Sequence, residues 1–594
     1  MPHKGPPLDI PEIKGLSIWS FLFETRNDGD NAVFRDADTG NAIPFGVLKR
    51  HCETLSTELA RGYNIQAGDV ICLCCTNSIW YPVAVFAALR LGAIISPTSP
   101  ECTAEEAAHM VRTVHPKVVI ADRRSHHAVE RCIKGGNAPD ARLLALTVDE
   151  GASLGLPSIQ TLSCQTAFQQ PVAPWHIDPS QTSHDYCAFL CFTSGTTSLP
   201  KAVRSLIYMH DAALTWLDQT MLSHQNIIAQ LHQVKAYTRD DHPKVVLGVL
   251  PFHHITGIVH LLHLPLLLHQ DVVIMSRFNM DEMLKTIAAF KCEELWLVPR
   301  KDSPQASIAI QLTDSRGHTA ILIRLVSDPT VSNPDLQSVQ QINTGAAPLG
   351  REVISRLEAQ YPNIAIRQAW GMTESCSCLT LTPPSDQTYE NAHTVGKAVA
   401  GTVLNVVRPG TDEEVGVGAS GVLLSKILAK GPQVMMGYLN DPKTTCETIR
   451  PDGFLRTGDI GYVDDLGFVH IEDRLKEIIK VKGVGVAPAE LEDILMGHKS
   501  IKDAAVVGVA DSYSGQVPKA YVVLRPQFEP SVGIARSIQE YVRQRCSRPK
   551  WLRRGIAFVQ EIPKSGSGKI LRRRLKDMSI ILDVAGDVGG SARL

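Results

Sequence analysis

Apolar and polar positions alternate along this chain in two registers. An amphipathic stretch around Leu48 to Arg61 is followed by the apolar run VICLCC at Val70 to Cys75, then by a helix-like segment from Tyr81 to Leu91. Apolar residues recurring with a helical period between short continuous apolar runs predict βα units and a layered α/β body. The same grammar returns from Asp185 to Arg300 and from Ser338 to Met372, with VVLGVL and ELWLVP as strand-like runs. Near Asp473 the texture changes to a charged stretch, DRLKEIIKVKG. A helix-like AELEDILMGH and the runs AAVVGVA and KAYVVL follow. This predicts a small, separate α+β domain joined through a hinge at 473–483, where relative motion is expected.

Length agrees with that division, since 594 residues exceed what one hydrophobic core usually serves. The expected fold class is α/β: a large multi-sheet domain over 1–472 and a small mobile α+β domain over 473–594. Hydrophobic residues at 44% and charged residues at 20% describe a folding chain rather than a disordered one. A formal net charge of -2 without a dense Lys/Arg stripe argues against a nucleic-acid partner. The start, MPHKGPPLDIPEIKG, has no apolar core of signal-peptide length. The greasiest run, IVHLLHLPLLLH from Ile258 to His269, is broken by histidines and a proline, so no membrane span is expected. The 14 cysteines lack zinc-type spacing and are read as reduced core thiols. The final residues Ala592, Arg593 and Leu594 have the small-basic-leucine form of a peroxisomal address, so the expected location is peroxisomal or cytoplasmic.

The strongest chemical signal is CFTSGTTSLPK, Cys191 to Lys201, in which an apolar run enters a loop of Ser, Thr and Gly that closes with lysine. Glycine permits close backbone approach, hydroxyl and N–H groups donate to phosphate oxygens, and lysine supplies charge, so such a loop can wrap a polyphosphate. The Walker spacing is absent, both here and in GSGKI near the C-terminus.

TSGTTSLPK resembles the signature loop of the acyl-adenylate-forming superfamily, especially its coumarate:CoA ligase and fungal acyl-CoA ligase branches. The resemblance continues in order through LPFHHITG (Leu250–Gly257), NTGAAPLG (Asn343–Gly350), QAWGMTE (Gln368–Glu374), RTGD (Arg456–Asp459), DRLKEIIKVKG (Asp473–Gly483) and PKSGSGKI (Pro563–Ile570). It implies an ATP-dependent acid:CoA ligase. Such an enzyme converts a carboxylate to its adenylate with release of pyrophosphate, then passes the acyl group to the thiol of CoA.

Carried over by position, the resemblance makes Thr193, Ser194, Gly195, Thr196, Thr197 and Lys201 the loop that orders the β- and γ-phosphates. Gly345, Ala346 and Ala347, with Pro348, form a turn that frames the adenine together with Trp370, where the family more often has tyrosine. Thr373 would bind the α-phosphate and Glu374 Mg²⁺, a hard cation suited to carboxylate and phosphate oxygens. Asp459 offers two oxygens to the ribose hydroxyls, and Arg474 adds a planar fork of donors beside it. Lys569 would stabilise negative charge at the reacting carboxylate and α-phosphate. Lys476 stands at the family's pivot, and Lys482 and Gly483 along the CoA tunnel. His254, Gly345 and Gly371 border the acyl pocket, where a glycine at 371 leaves room for an aryl or medium-length acid.

The sequence departs from the family at Ser198 and Ala202, which replace glycines, and at Gly485, where a glutamine is common. Larger departures are 204–220, which interrupts PKAV-MLSHQN, and 301–320, which interrupts VPR-ILIRLV. The first follows the phosphate loop directly, where the chain should enter a packed strand. Both are read as insertions, and one or both as translated retained introns. Two other functions share the motifs. One is a stand-alone adenylation enzyme that loads a carrier protein. The other is an inactive binding homologue, against which the retention of Lys569 argues. The acid, the pathway and the oligomeric state are not encoded in any motif.

Overall fold

The computed structural model describes residues 2–8, 15–25, 33–136, 138, 140–165, 170–192, 219–297, 321–327, 331, 336–345, 349, 351–408, 413–415, 425–475, 477–482, 484–511, 514–564 and 570–586. The apolar runs become strands much as their pattern predicts. VICLCC forms Val70–Cys74, VVLGVL forms Val245–Gly248, and ELWLVP forms Glu294–Leu297. The flanking periodic stretches form the helices Phe45–Gly62 and Trp80–Arg90.

Two large sheets make up most of the body. One is seven-stranded and centres on Val70–Cys74, Ile94–Pro97 and Cys187–Phe192. The other is nine-stranded, with Val245–Gly248, Glu294–Leu297, Gln341–Thr344 and Ala365–Met372 running parallel through its middle. The largest core cluster lies between them and includes Phe45, Leu48, Phe86, Phe189, Phe252 and Leu261, all fully buried or nearly so. Each such side chain contributes about 1.5–3 kcal/mol when removed from water.

The helical run Gly257–His263 and Leu264–Leu268 is buried in this core, which is why its sequence is so apolar. Its His260 and His263 are buried too, and burial lowers their pKa values to about 3 and about 4, so both are neutral. Among the described residues no helix is long and apolar enough to cross a membrane. None of the fourteen cysteines is in a disulfide, and Cys72, Cys74, Cys75 and Cys191 are among those buried.

A five-stranded sheet contains the antiparallel pair Leu455–Val463 and Val469–Arg474. Five residues after Arg474 the chain enters a different sheet at Ile479–Val481, built with Gly515–Leu524, Ile501–Asp511 and Ile556–Phe558. This last sheet has its own core of Leu491, Leu495, Val506, Val522, Ile538 and Phe558. AELEDILMGH becomes the helix Pro488–Met496 on it.

Candidate functional site

Open parallel sheets bind ligands beyond the carboxyl ends of their strands. Several of the predicted site residues occupy such ends. Gly345 follows the strand Gln341–Thr344, Trp370, Gly371 and Thr373 stand at the end of Ala365–Met372, and the strand Cys187–Phe192 ends next in sequence to Thr193.

The best-defined constellation surrounds Asp459. In the strand Leu455–Val463, Gly458 adopts φ +74°, a conformation that favours glycine, and Thr457 Oγ1 donates to the carbonyl of Ile427 at 2.6 Å. Asp459 pairs directly across the ladder with Arg474, whose Nε lies 2.6 Å from Asp459 Oδ1. The other oxygen, Oδ2, accepts the indole N–H of Trp370 at 2.8 Å. Asp459 is only 3% exposed, and these two donors help to hold its charge away from water. A carboxylate has about four lone-pair sites and can accept from several donors at once. The sequence reading placed Trp370 against a purine face. Its N–H bond to Asp459 is an added role that sequence did not reveal.

Glu374 sits in the short turn Thr373–Ser375, between extended Met372 and left-handed Cys376 at φ +50°. Its carbonyl accepts Met435 N–H at 2.9 Å, and its Oε1 accepts the phenol of Tyr438, also at 2.9 Å. Tyr438 is a partner of the candidate residue Glu374 that sequence reasoning missed. The Gly437–Tyr438 pair was a weak signal, and Gly437 at φ +144° marks a special turn. The strand Gly437–Tyr438 pairs with Met221 and Thr220, in a strand that in turn pairs with Cys187–Phe192. Glu374 is therefore braced, through Tyr438, against the strand Gln219–Ser223.

The last two residues of the 204–220 segment, Gln219 and Thr220, lie within the strand Gln219–Ser223, opposite Phe192 and Cys191. They continue the seven-stranded sheet.

His254 is half-buried, its ring centroid 4.4 Å from that of His253, and its carbonyl accepts Ile258 N–H at 2.9 Å. Gly371 lies at a register shift beside the strand Ser377–Leu381. A Cβ there would fall 1.5 Å from the carbonyl oxygen of Ser377, so the backbone itself demands glycine, in addition to any room it leaves for an acid. A Cβ at Gly345 would stand 2.9 Å from the Ala369 carbonyl. Lys482 is exposed at φ +50° in the turn after Ile479–Val481, with its N–H bonded to Ser514 O at 2.8 Å.

Among the described residues, the one grouping of three potential metal ligands is His126, His127 and Glu130, on a different helix. Glu374 is a single oriented carboxylate. That donor fits Mg²⁺, which characteristically takes one or two carboxylates plus substrate phosphates.

Thr193, Ser194, Gly195, Thr196, Thr197, Ser198, Lys201, Ala202, Ala346, Ala347, Pro348, Lys476, Gly483, Lys569 and Ala592–Leu594 lie outside the described residues. So do 204–218 and 301–320.

The AMP-binding enzyme family matches residues 23–439, and the C-terminal domain of AMP-binding enzymes matches residues 490–569. The chain is 30% identical over 575 residues to peroxisomal OPC-8:0-CoA ligase 1 of Arabidopsis thaliana, covering 96% of this chain and 95% of that protein. It is 32% identical over 588 residues to 4-coumarate-CoA ligase 2 of Oryza sativa subsp. japonica, covering 96% and 94%. ATP-bound MatB from Rhodopseudomonas palustris superposes with a TM-score of 0.78 at 22% identity, covering 95% of this chain and 98% of that one. The anthranilate CoA ligase AuaEII in complex with anthranoyl-AMP superposes at 0.75 and 20%, covering 96% and 98%. These two structures share the fold. With both family domains matched and relatives aligned almost end to end, the chain belongs to the AMP-binding enzymes, in the coumarate:CoA ligase-like part of the acyl-adenylate-forming superfamily.

Proposed function

We propose that this chain, an ATP-dependent acid:CoA ligase of the AMP-forming kind, acts on an aryl or medium-length carboxylic acid. The observation that carries the nucleotide half of this reading is the Asp459 carboxylate fixed by Trp370 and Arg474. A buried acid oriented by two fixed donors suits a ribose diol, and Arg474 is partly exposed beside it.

In the first step a carboxylate oxygen attacks the α-phosphorus of ATP, and pyrophosphate leaves. Thr373 and the loop 193–201 hold the phosphates, and Lys569 supplies positive charge where oxygen charge builds up. Glu374, oriented by Tyr438, would hold Mg²⁺, which when bound neutralises phosphate charge. In the second step the sulfur of CoA attacks the acyl carbonyl and AMP leaves. Lys569 serves only the first step, so a turn of the domain after 472 about Lys476 would clear the thiol's path, with Lys482 and Gly483 beside the tunnel. His254, Gly345 and Gly371 border the acid, and Ala346 and Ala347 the adenine. The tail Ala592-Arg593-Leu594 supports a peroxisomal location, as does the peroxisomal relative.

The test is ATP–pyrophosphate exchange across aryl and medium-chain acids, with and without CoA. The chain as given is compared with one lacking 204–218 and 301–320, so that Gln219 and Thr220 remain in their strand. Acid-dependent exchange that becomes thioester on adding CoA supports the reading. Exchange without thioester moves it to a carrier-protein acceptor, and no exchange from either form overturns it. Activity confined to the shortened form points to the reading of the segments as retained introns, which sequencing the transcript tests directly.

A further inference from the structure

The helix His126–Lys134 lies well away from the strand that braces Glu374. It follows the strand Val118–Ala121, which stands four places across the seven-stranded sheet from Gln219–Ser223, roughly 19 Å at about 4.8 Å per strand. The start of this helix carries His126, His127 and Glu130, and one ligand atom from each lies within 4.8 Å of the others. His126 and Glu130 are one turn apart and share a face of the helix.

His126 is poorly served by the protein around it. Its side chain is only 7% exposed, yet its Nδ1 has no hydrogen-bond partner among the described residues. The neighbouring Asp122 cannot supply one, because its carboxylate already accepts the N–H groups of Thr76, Arg124 and Ser125. At the other side of the ring, His126 Nε2 faces Glu130 Oε2 at 3.7 Å, which is too long for a hydrogen bond. Buried polar groups are nearly always paired, and an ion is one ordinary reason for an exception.

That 3.7 Å gap suits two ligands of one metal. Donors held at about 2.0–2.1 Å on a tetrahedral ion stand about 3.4 Å apart. Glu130 is already oriented for this, since Lys134 Nζ holds its Oε1 at 2.8 Å and leaves Oε2 toward His126. Carboxylate ligands are characteristically steadied by such an outer partner. His127 is exposed, with its ring centroid 5.4 Å from that of His126, so a change of rotamer brings it onto the same ion. Two imidazoles and a carboxylate favour a first-row transition ion over Mg²⁺, which prefers oxygen donors alone.

We propose that His126, His127 and Glu130 form a site for Zn²⁺, with three protein ligands and the remaining position open to water. The ion ties the first turn of the helix together and occupies the gap that His126 and Glu130 leave between them. Its donors differ from the carboxylate and phosphate oxygens that suit Mg²⁺ at Glu374.

The test is calorimetric titration of the full chain with Zn²⁺ in excess Mg²⁺, alongside H127A, E130Q and the double variant C164S/C446S, which removes two exposed thiols. His127 is exposed and Glu130 partly so, and neither substitution removes a core side chain. The unsubstituted chain and C164S/C446S are expected to bind Zn²⁺ with one affinity, and H127A and E130Q each about 10-fold or more weakly. Zn²⁺ should also slow amide exchange across 126–134 in the unsubstituted chain and not in E130Q. Absence of saturable binding overturns the proposal, as does loss of binding in C164S/C446S. An unchanged affinity in H127A or E130Q, or no protection of 126–134, shows an adventitious ion only and overturns it equally.

Discussion

The indole N–H of Trp370 donates to Oδ2 of Asp459 at 2.8 Å, across 89 residues of sequence, while Arg474 occupies the opposite oxygen. Trp370→Phe keeps a ring of similar shape and removes only the donor. A hydrogen bond to a charged group is worth about 1.5–3 kcal/mol, so KM for ATP should rise by roughly 10-fold or more, and kcat should change less. Initial rates of pyrophosphate exchange against ATP concentration check this. An unchanged KM would show that the indole does not hold the carboxylate for the nucleotide.

Tyr438→Phe deletes the phenol that donates to Glu374 Oε1 at 2.9 Å and leaves the strand Gly437–Tyr438 otherwise unaltered. A net hydrogen bond of about 0.5–1.5 kcal/mol predicts a 2- to 10-fold increase in the Mg²⁺ concentration for half-maximal exchange. The melting temperature should stay close to that of the unsubstituted chain. A Mg²⁺ titration that overlays the original curve would remove Tyr438 from the site.

Both contacts explain what the sequence could and could not disclose. Local pattern governs strands such as Val70–Cys74 and helices such as Trp80–Arg90, because their burial follows from neighbouring residues alone. The motif residues Asp459, Arg474, Glu374 and Trp370 were legible by resemblance, but not who touches whom. Trp370 reaches Asp459 and Tyr438 reaches Glu374 only after separate sheets pack, and no periodicity encodes such pairings. The buried histidines of the run Ile258–His269 were visible as interruptions of an apolar segment. That His260 stacks on Trp296 at 3.9 Å and meets Ser377 Oγ at 2.9 Å is a property of the assembled core.

Gly371 illustrates a residue whose structural demand can be tested apart from its proposed place by the acid. A methyl group there would sit 1.5 Å from Ser377 O, a collision of backbone with backbone that no rotamer change relieves. Gly371→Ala should therefore destabilise the fold by roughly 1–3 kcal/mol or more, seen as a lower denaturant midpoint even without any substrate. Wild-type stability with altered acid preference would show that the strand shifts freely and that the glycine serves the pocket alone.

Two sets of buried groups pull stability in opposite directions as pH changes. Burial lowers the pKa of His224 to about 3, of His260 to about 3 and of His263 to about 4, with Arg367 adding to the effect at His260 and His263 adding to it at His224. Unfolded, each would take up a proton near pH 6.5, so the unfolded state binds more protons and stability falls as pH drops through that window toward pH 4. Asp473 behaves in reverse. Burial raises its pKa from 3.8 to about 6, against the pull of Arg572, so the folded state holds its proton longer and this group favours the fold as pH drops from about 6 to about 4. Within these four groups, three histidines against one aspartate favour a loss of stability on acidification between about pH 6 and 5. Asp473→Asn removes the opposing group and keeps an oxygen for Ala489 N–H. The variant should therefore gain on the unsubstituted chain as pH rises from about 4 to about 6, and its acid-side slope should be steeper by up to about 1.4 kcal/mol per pH unit. Denaturant midpoints of both chains at a series of pH values across this range measure that difference. Parallel curves would mean that the Asp473 carboxyl titrates at its ordinary value.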